Sequence, residues 1–130
     1  MTIAQGDVWW ADLPEGRGSA PGFRRPVVVV QGDALNRSRI ATVVCVALTS
    51  NLKWATAPGN VVLAPSVTGL PKESVANVSQ LVTMDKTDLT ERTGKLPRSK
   101  LELLLSGIDV VLGRSRGALC EQVEPAGRMR

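Results

Sequence analysis

Two apolar runs, "PVVVV" at residues 26–30 and "TVVCVALT" at residues 42–49, set the tightest limit on what this chain can fold into. Both are dominated by β-branched residues and show no wet face, so each reads as a core strand buried on both sides. Pro26 is acceptable there as the first residue of its strand. The polar chemistry sits at the ends. Arg24 and Arg25 stand directly ahead of the first run, while Thr49, Ser50, Asn51 and Lys53 follow the second.

The remaining segments surround these strands with short elements. "GDVWWADLP" reads as an opening strand that stops at Pro14, and "EGRGSAPGF" at residues 15–23 as a long exposed loop. "GDALNRSRIA" interrupts the two core strands. "ATAPG" gives a turn, "NVVLA" a short strand and "PSVTGLPKE" a Gly/Pro loop. In "SVANVSQLVTMDK" the positions Val75, Val78, Leu81 and Val82 follow neither a strict alternation nor a helical period, which predicts a strand with a bulge or bend. Only "PRSKLELLLSGIDVVLGR" is helical: Leu101, Leu104, Leu105, Ile108, Val111 and Leu112 recur at three and four residues, and Gly113 closes the pattern. Five to six short strands with one C-terminal helix predict a mainly β fold, a small twisted barrel or sheet roll with a packed helix.

With 130 residues the chain fits one domain, expected over residues 1–113, and the basic stretch 114–130 reads as a flexible tail. No apolar run approaches the roughly 20 residues that span a bilayer. The segment "MTIAQGDVWW" also lacks the basic-then-apolar order of a leader, so a cytoplasmic protein without a membrane partner is expected. Cys45, inside an apolar run, is expected to pack as a small hydrophobe. The chain has no histidine, which removes the commonest metal ligand and the commonest general acid–base; with two separated cysteines, no metal site and no cofactor are expected. A net charge of +4 makes a polyanion or an acidic protein a reasonable partner. Three Trp, one Phe and no Tyr argue against a single-strand-binding platform built by stacking bases, although Trp9, Trp10 or Trp54 could contribute one stack.

The ordered set "GDVWWADLP", a Gly-rich loop, "RRPVVVVQGDALN", "VVCVALTSN", "NVVL" and "GLPKESVANVSQLVTMDKTDLTERTGKL" resembles the MazF/PemK family of toxin endoribonucleases over roughly residues 4–112. The resemblance implies an SH3-like barrel that forms a homodimer and is neutralised by a cognate MazE-like antitoxin. It also implies metal-independent, sequence-specific cleavage of single-stranded RNA to 2′,3′-cyclic phosphate and 5′-hydroxyl ends. Carried onto this chain, the arginine of the "RPV" motif is Arg25, and the hydroxyl residue closing the third strand is Thr49.

Elementary chemistry agrees with those two assignments. Attack by a ribose 2′-hydroxyl needs no enzyme nucleophile but builds negative charge on a phosphorane, and a guanidinium offers a permanently charged fork of donors for such oxygens. Thr49 would hold a nonbridging oxygen or orient the 2′-hydroxyl. Alternatively, Arg25 pairs with Asp7 or Glu15 and Thr49 merely satisfies backbone groups at a strand end. Arg24, next along the strand, points to the opposite face. Ser19, Arg24, Asn36, Arg37, Ser50, Asn51 and Lys53 are the candidate RNA-binding residues, and Gln80, matching a recurring family glutamine, is expected to make a structural hydrogen bond. Where many relatives carry an acid ahead of the arginine motif this chain has Ala20, with Asp12 and Glu15 the nearest upstream acids, so the general base is unassigned. The competing reading is a non-catalytic barrel toxin of the CcdB type that binds a protein such as gyrase. That activity would not require Arg25 and Thr49 at facing strand ends.

Overall fold

The computed structural model describes residues 2–13 and 23–114. Six strands, β1 (Asp7–Leu13), β2 (Phe23–Val29), β3 (Thr42–Thr49), β4 (Val61–Leu63), β5 (Ser74–Asp85) and β6 (Leu89–Lys95), form one sheet in the order β4-β5-β3-β2-β1-β6. All neighbouring pairs are antiparallel. Short helices α1 (Asp33–Asn36) and α2 (Pro65–Thr68) lie in the connections, and α3 (Arg98–Val111) packs across β4 and β5. This is the curled-sheet form of the expected roll with its helix.

The valine run is uninterrupted because both faces of the central strands are covered. Val28 and Val30 join Val8, Val46, Leu48, Val78, Leu101 and Leu104 on the face that carries α3. Val27 and Val29 join Ile3, Trp9, Val43, Cys45, Met84 and Leu89 on the other. Cys45 is fully buried there, and burial pushes its thiol up to about 12, so it packs as a hydrophobe.

Pro26 departs from the sequence expectation. It lies inside β2, opposite Trp10, rather than at the strand's start. The physical reason is local: β2 pairs with β3 only from Val27 to Val29, so the prolyl nitrogen, which cannot donate, sits where the β2–β3 ladder has already ended. The two strands consequently part just where Arg25 and Thr49 lie.

The predicted irregularity in β5 is also present. Val46 of β3 faces Leu81, yet Leu48 faces Ala76, so residues 77–80 of β5 have no partners on β3. Beyond this bulge β5 pairs with β4 as well, which turns the sheet's end. At the opposite edge the roll is closed by side chain and turn rather than by a ladder: Thr93 Oγ1 of β6 donates to the Thr68 carbonyl of α2 at 2.8 Å. Gly94 makes this approach possible, since a Cβ there would stand 2.6 Å from the same carbonyl oxygen.

α3 docks on its first three turns through Leu101 and Leu104, with Leu105 and Ile108 packed against the core. Val111 and Leu112, which extend the same sequence stripe, are exposed because the helix runs past the sheet it covers. Gly113 follows with φ +75°, the left-handed closure expected of it. Midway along α3, Gly107 lies against the backbone of Gly59, and a Cβ at position 107 would overlap the Gly59 carbonyl. Gly107→Ala gains up to about 1 kcal/mol of helix propensity but forces backbone apart. The expected result is net destabilisation and loss of α3 docking, read as a lowered denaturant midpoint; an unchanged or raised midpoint would contradict this contact.

No helix among the described residues is long and apolar enough to cross a membrane. The proposed tail, apart from Arg114, which pairs with Asp109 at 3.4 Å, lies outside the described residues.

Candidate active site

Register places the two principal candidates together. Val27 and Ala47 are the last paired residues of β2 and β3, and Arg25 and Thr49 lie two residues beyond them on their respective strands. With a side-chain period of two, both therefore project on the face of Val27 and Ala47, side by side at the point where the strands part. They line one cavity of about 320 Å³ with Trp54, Ala57, Asn77, Ser79 and Gln80. The 3₁₀ turn Leu52–Thr56 supplies Trp54, and the unpaired β5 bulge supplies Asn77, Ser79 and Gln80.

Thr49 has a fixed oxygen. Its Oγ1 accepts the Asn51 backbone N–H at 3.1 Å, so the strand-end hydrogen bond considered from the sequence exists. That bond uses a lone pair and leaves the hydroxyl proton available to a ligand. Arg25 is half-buried, and Asp7, one of the carboxylates suggested for it, is engaged elsewhere: its Oδ1 lies 3.4 Å from Arg92 and 3.6 Å from Lys95. Among the described residues lining the cavity there is no carboxylate. Asp12 stands opposite Arg24 on β1, so strand alternation turns it to the face away from Arg25.

Arg24 takes that opposite face, as expected. It pairs with Glu91 at 3.1 Å and lies over the Trp10 ring, 4.8 Å from its centroid. The pair is exposed, but the stack and the carboxylate together hold this guanidinium away from the cavity. Ser50 falls on the same side, in a small depression with Trp10 and Lys72. Asn51 caps the 3₁₀ turn by accepting the Lys53 N–H at 3.1 Å, and Lys53 is exposed with its ammonium 5.2 Å from the Trp54 centroid. These two flank the cavity without lining it. Arg37 is exposed at the end of α1, also outside the lining.

Asn36 must be reassigned. It is 8% exposed, and its amide donates to the Gln31 carbonyl at 2.8 Å and to Asp33 while accepting from the Gln31 side chain. The single turn of α1 folds back over Gln31, converting a loop asparagine into an internal tether. Gln80 is the reverse case: expected in a structural hydrogen bond, it is instead exposed on the bulge and lines the cavity. Ser19 lies outside the described residues, as do Glu15 and Ala20.

The same α1 turn carries a titrating group. The Gln5 backbone N–H at 2.7 Å and the Asn36 amide hold the Asp33 carboxyl below its usual 3.8. A depressed carboxylate stabilises the fold above its unfolded pKa, and that contribution is lost as pH falls through the folded value. Acid titration of stability should therefore lose a component below pH 3.8 that Asp33→Asn removes. Identical acid limbs for the two proteins would contradict the assignment.

A curled six-stranded sheet that parts at one end around an arginine, a threonine and a tryptophan defines a small β-roll domain with a cleft lined by one cation, hydroxyl and amide groups and an indole. Comparison with known proteins gives that class its family. Residues 4–112 match the family described as PemK-like, MazF-like toxins of type II toxin-antitoxin systems, and the chain belongs to it. "Endoribonuclease MazF6" of Mycobacterium tuberculosis is 46% identical over 112 residues, covering 86% of this chain and 98% of that protein. "Endoribonuclease MazF" of Staphylococcus saprophyticus is 37% identical over 111 residues, covering 85% and 92%. Among solved structures, an endoribonuclease in complex with its cognate antitoxin from a mycobacterial species superposes with a TM-score of 0.67 at 24% identity, covering 89% of this chain and 98% of that one. That likeness bears on the fold.

Proposed function

We propose that this chain is the toxin of a type II toxin–antitoxin pair and acts in the cytoplasm as an endoribonuclease on single-stranded RNA. The 2′-hydroxyl of the nucleotide at the cut attacks the adjacent phosphorus, the bond to the 5′-oxygen of the next nucleotide breaks, and the products carry a 2′,3′-cyclic phosphate and a 5′-hydroxyl. Arg25 spans the phosphorane oxygens with its fork, and the Thr49 hydroxyl donates to a nonbridging oxygen or steadies the 2′-hydroxyl. Positioning and charge stabilisation carry the reaction, in keeping with a cavity lining that offers a cation and donors. Asn51 and Lys53 extend the contact with RNA along the 3₁₀ turn, and Arg24, Arg37 and Ser50 serve a longer stretch of backbone outside the cavity. A homodimer, and an antitoxin that lays an acidic segment along the basic surface, complete the reading.

The observation that carries it is the convergence of Arg25 and Thr49 on one face at the parting of β2 and β3, within a chain that belongs to this toxin family. End analysis tests it. After incubation with RNA, the downstream fragments should accept a phosphate from polynucleotide kinase and ligate only after that step. Fragments that ligate directly carry 5′-phosphates and would contradict the proposed chemistry; intact RNA would contradict the activity.

A further inference from the structure

Asn77 occupies the cavity wall beside Thr49, and a chain of hydrogen bonds fixes which end of its amide faces the ligand. The chain starts at two groups whose polarity is not in question. The Val78 backbone N–H donates to Asn60 Oδ1 at 3.0 Å, and the Trp54 carbonyl accepts from Asn60 Nδ2, also at 3.0 Å. One is a donor and the other an acceptor by construction, so the orientation of the Asn60 amide follows from the backbone alone. Asn60 Nδ2 then faces Asn77 Oδ1 at 3.5 Å, and the Ser79 hydroxyl donates to that same oxygen at 3.0 Å. Reversing Asn77 would set two NH₂ groups against each other. Its Oδ1 is therefore used internally, and its Nδ2 presents N–H donors.

We propose that Asn77 is a specificity-determining residue that selects, through Nδ2, a hydrogen-bond acceptor on the edge of a nucleobase adjoining the scissile phosphate, with that base laid against Trp54. Asn60 is its positioning residue. Trp54, 44% exposed, lines the same wall with the Lys53 ammonium 5.2 Å from its ring centroid, and its indole is assigned to the base, while Arg25 and Thr49 are assigned to the phosphate. Asn60 also ties the 3₁₀ turn that carries Trp54 to the bulge that carries Asn77, so one side chain sets the spacing between the stacking surface and the reading group. The cavity thereby favours base edges rich in carbonyl oxygens or ring nitrogens over those presenting an amino group.

The inference rests on the endoribonuclease reading, so its test uses two readouts. Asn77→Asp keeps an oxygen for Asn60 and Ser79 but turns the outward group from donor to acceptor. In cleavage of a randomised RNA pool, sequencing of cut sites should show a changed base preference at one position flanking the cut, with the other positions retained. Uniform slowing with an unchanged preference would overturn the proposal. Asn60→Ala should blur that same position while leaving the remainder of the recognised sequence in place. Binding of short oligonucleotides with a 2′-deoxy residue at the cut, read by Trp fluorescence quenching, separates the two layers. If wild type does not cut but its binding discriminates amino-bearing from carbonyl-bearing bases and Asn77→Asp reverses that discrimination, the enzymatic reading fails and the role of Asn77 stands. If binding is indifferent to the base in both proteins, the role of Asn77 is overturned.

Discussion

Arg25→Ala should lower RNA cleavage by about a hundred- to a thousand-fold, the usual cost of removing one well-placed donor to a developing oxyanion. Arg25 lies beyond the last β2–β3 pair and outside both apolar clusters, so the folded state should survive. Thermal denaturation and circular dichroism should be close to those of wild type. Arg25→Lys keeps the charge but loses the planar fork and should recover only part of the rate. Replacing the neighbouring Arg24, which is engaged with Glu91 and Trp10 on the other face, should leave the cleavage step within a few-fold of wild type and act mainly through salt-sensitive RNA affinity. An Arg25→Ala protein that cuts at near wild-type rate, or one that does not fold, would remove the basis for assigning this side chain to catalysis.

The second large effect concerns stability. Asp7 is fully buried at the start of β1, where one oxygen accepts from Ala4 N at 3.0 Å and from Trp9 Nε1 at 3.3 Å, and the other faces Arg92 and Lys95. Asp7→Ala returns the two cations, each about half-exposed, to water at little cost. The losses are at the indole and backbone N–H groups, of which the indole is deeply buried. Leaving such donors unsatisfied costs about 1–3 kcal/mol apiece, so a fall of roughly 2–4 kcal/mol in unfolding free energy is expected. Asp7→Asn, which keeps a carbonyl oxygen for the N–H groups, should lose less. A denaturant titration showing Asp7→Ala within about 0.5 kcal/mol of wild type, the range of ordinary surface changes, would contradict this account of β1.

The valine run and its arginine pair disclosed a doubly buried strand and a cationic end, because burial on both faces leaves a compositional trace. The helix was legible from its apolar period, though its last apolar residues lie beyond the sheet and stay wet. Even the irregularity of β5 showed as a failure of either period. Which side chains the bulge delivers to the cavity did not, since Asn77, Ser79 and Gln80 face Thr49 only through the shift in β3–β5 register, a long-range pairing with no local signature. Asn36 misled for a related reason: in isolation a loop asparagine looks available, and only the fold of α1 onto Gln31 commits its amide. Trp54 was one of three equivalent candidates until packing buried Trp9 and placed Arg24 over Trp10.

The central claim is that the RNA's own 2′-hydroxyl attacks a phosphate held by Arg25 and Thr49. It is tested most directly by a short oligoribonucleotide containing the cleaved sequence, paired with one that lacks only the 2′-hydroxyl at the cut, each incubated with the protein in EDTA. The account predicts cleavage of the first at the expected bond and none of the second, while the second still competes for binding. Cleavage of both at comparable rates would contradict it.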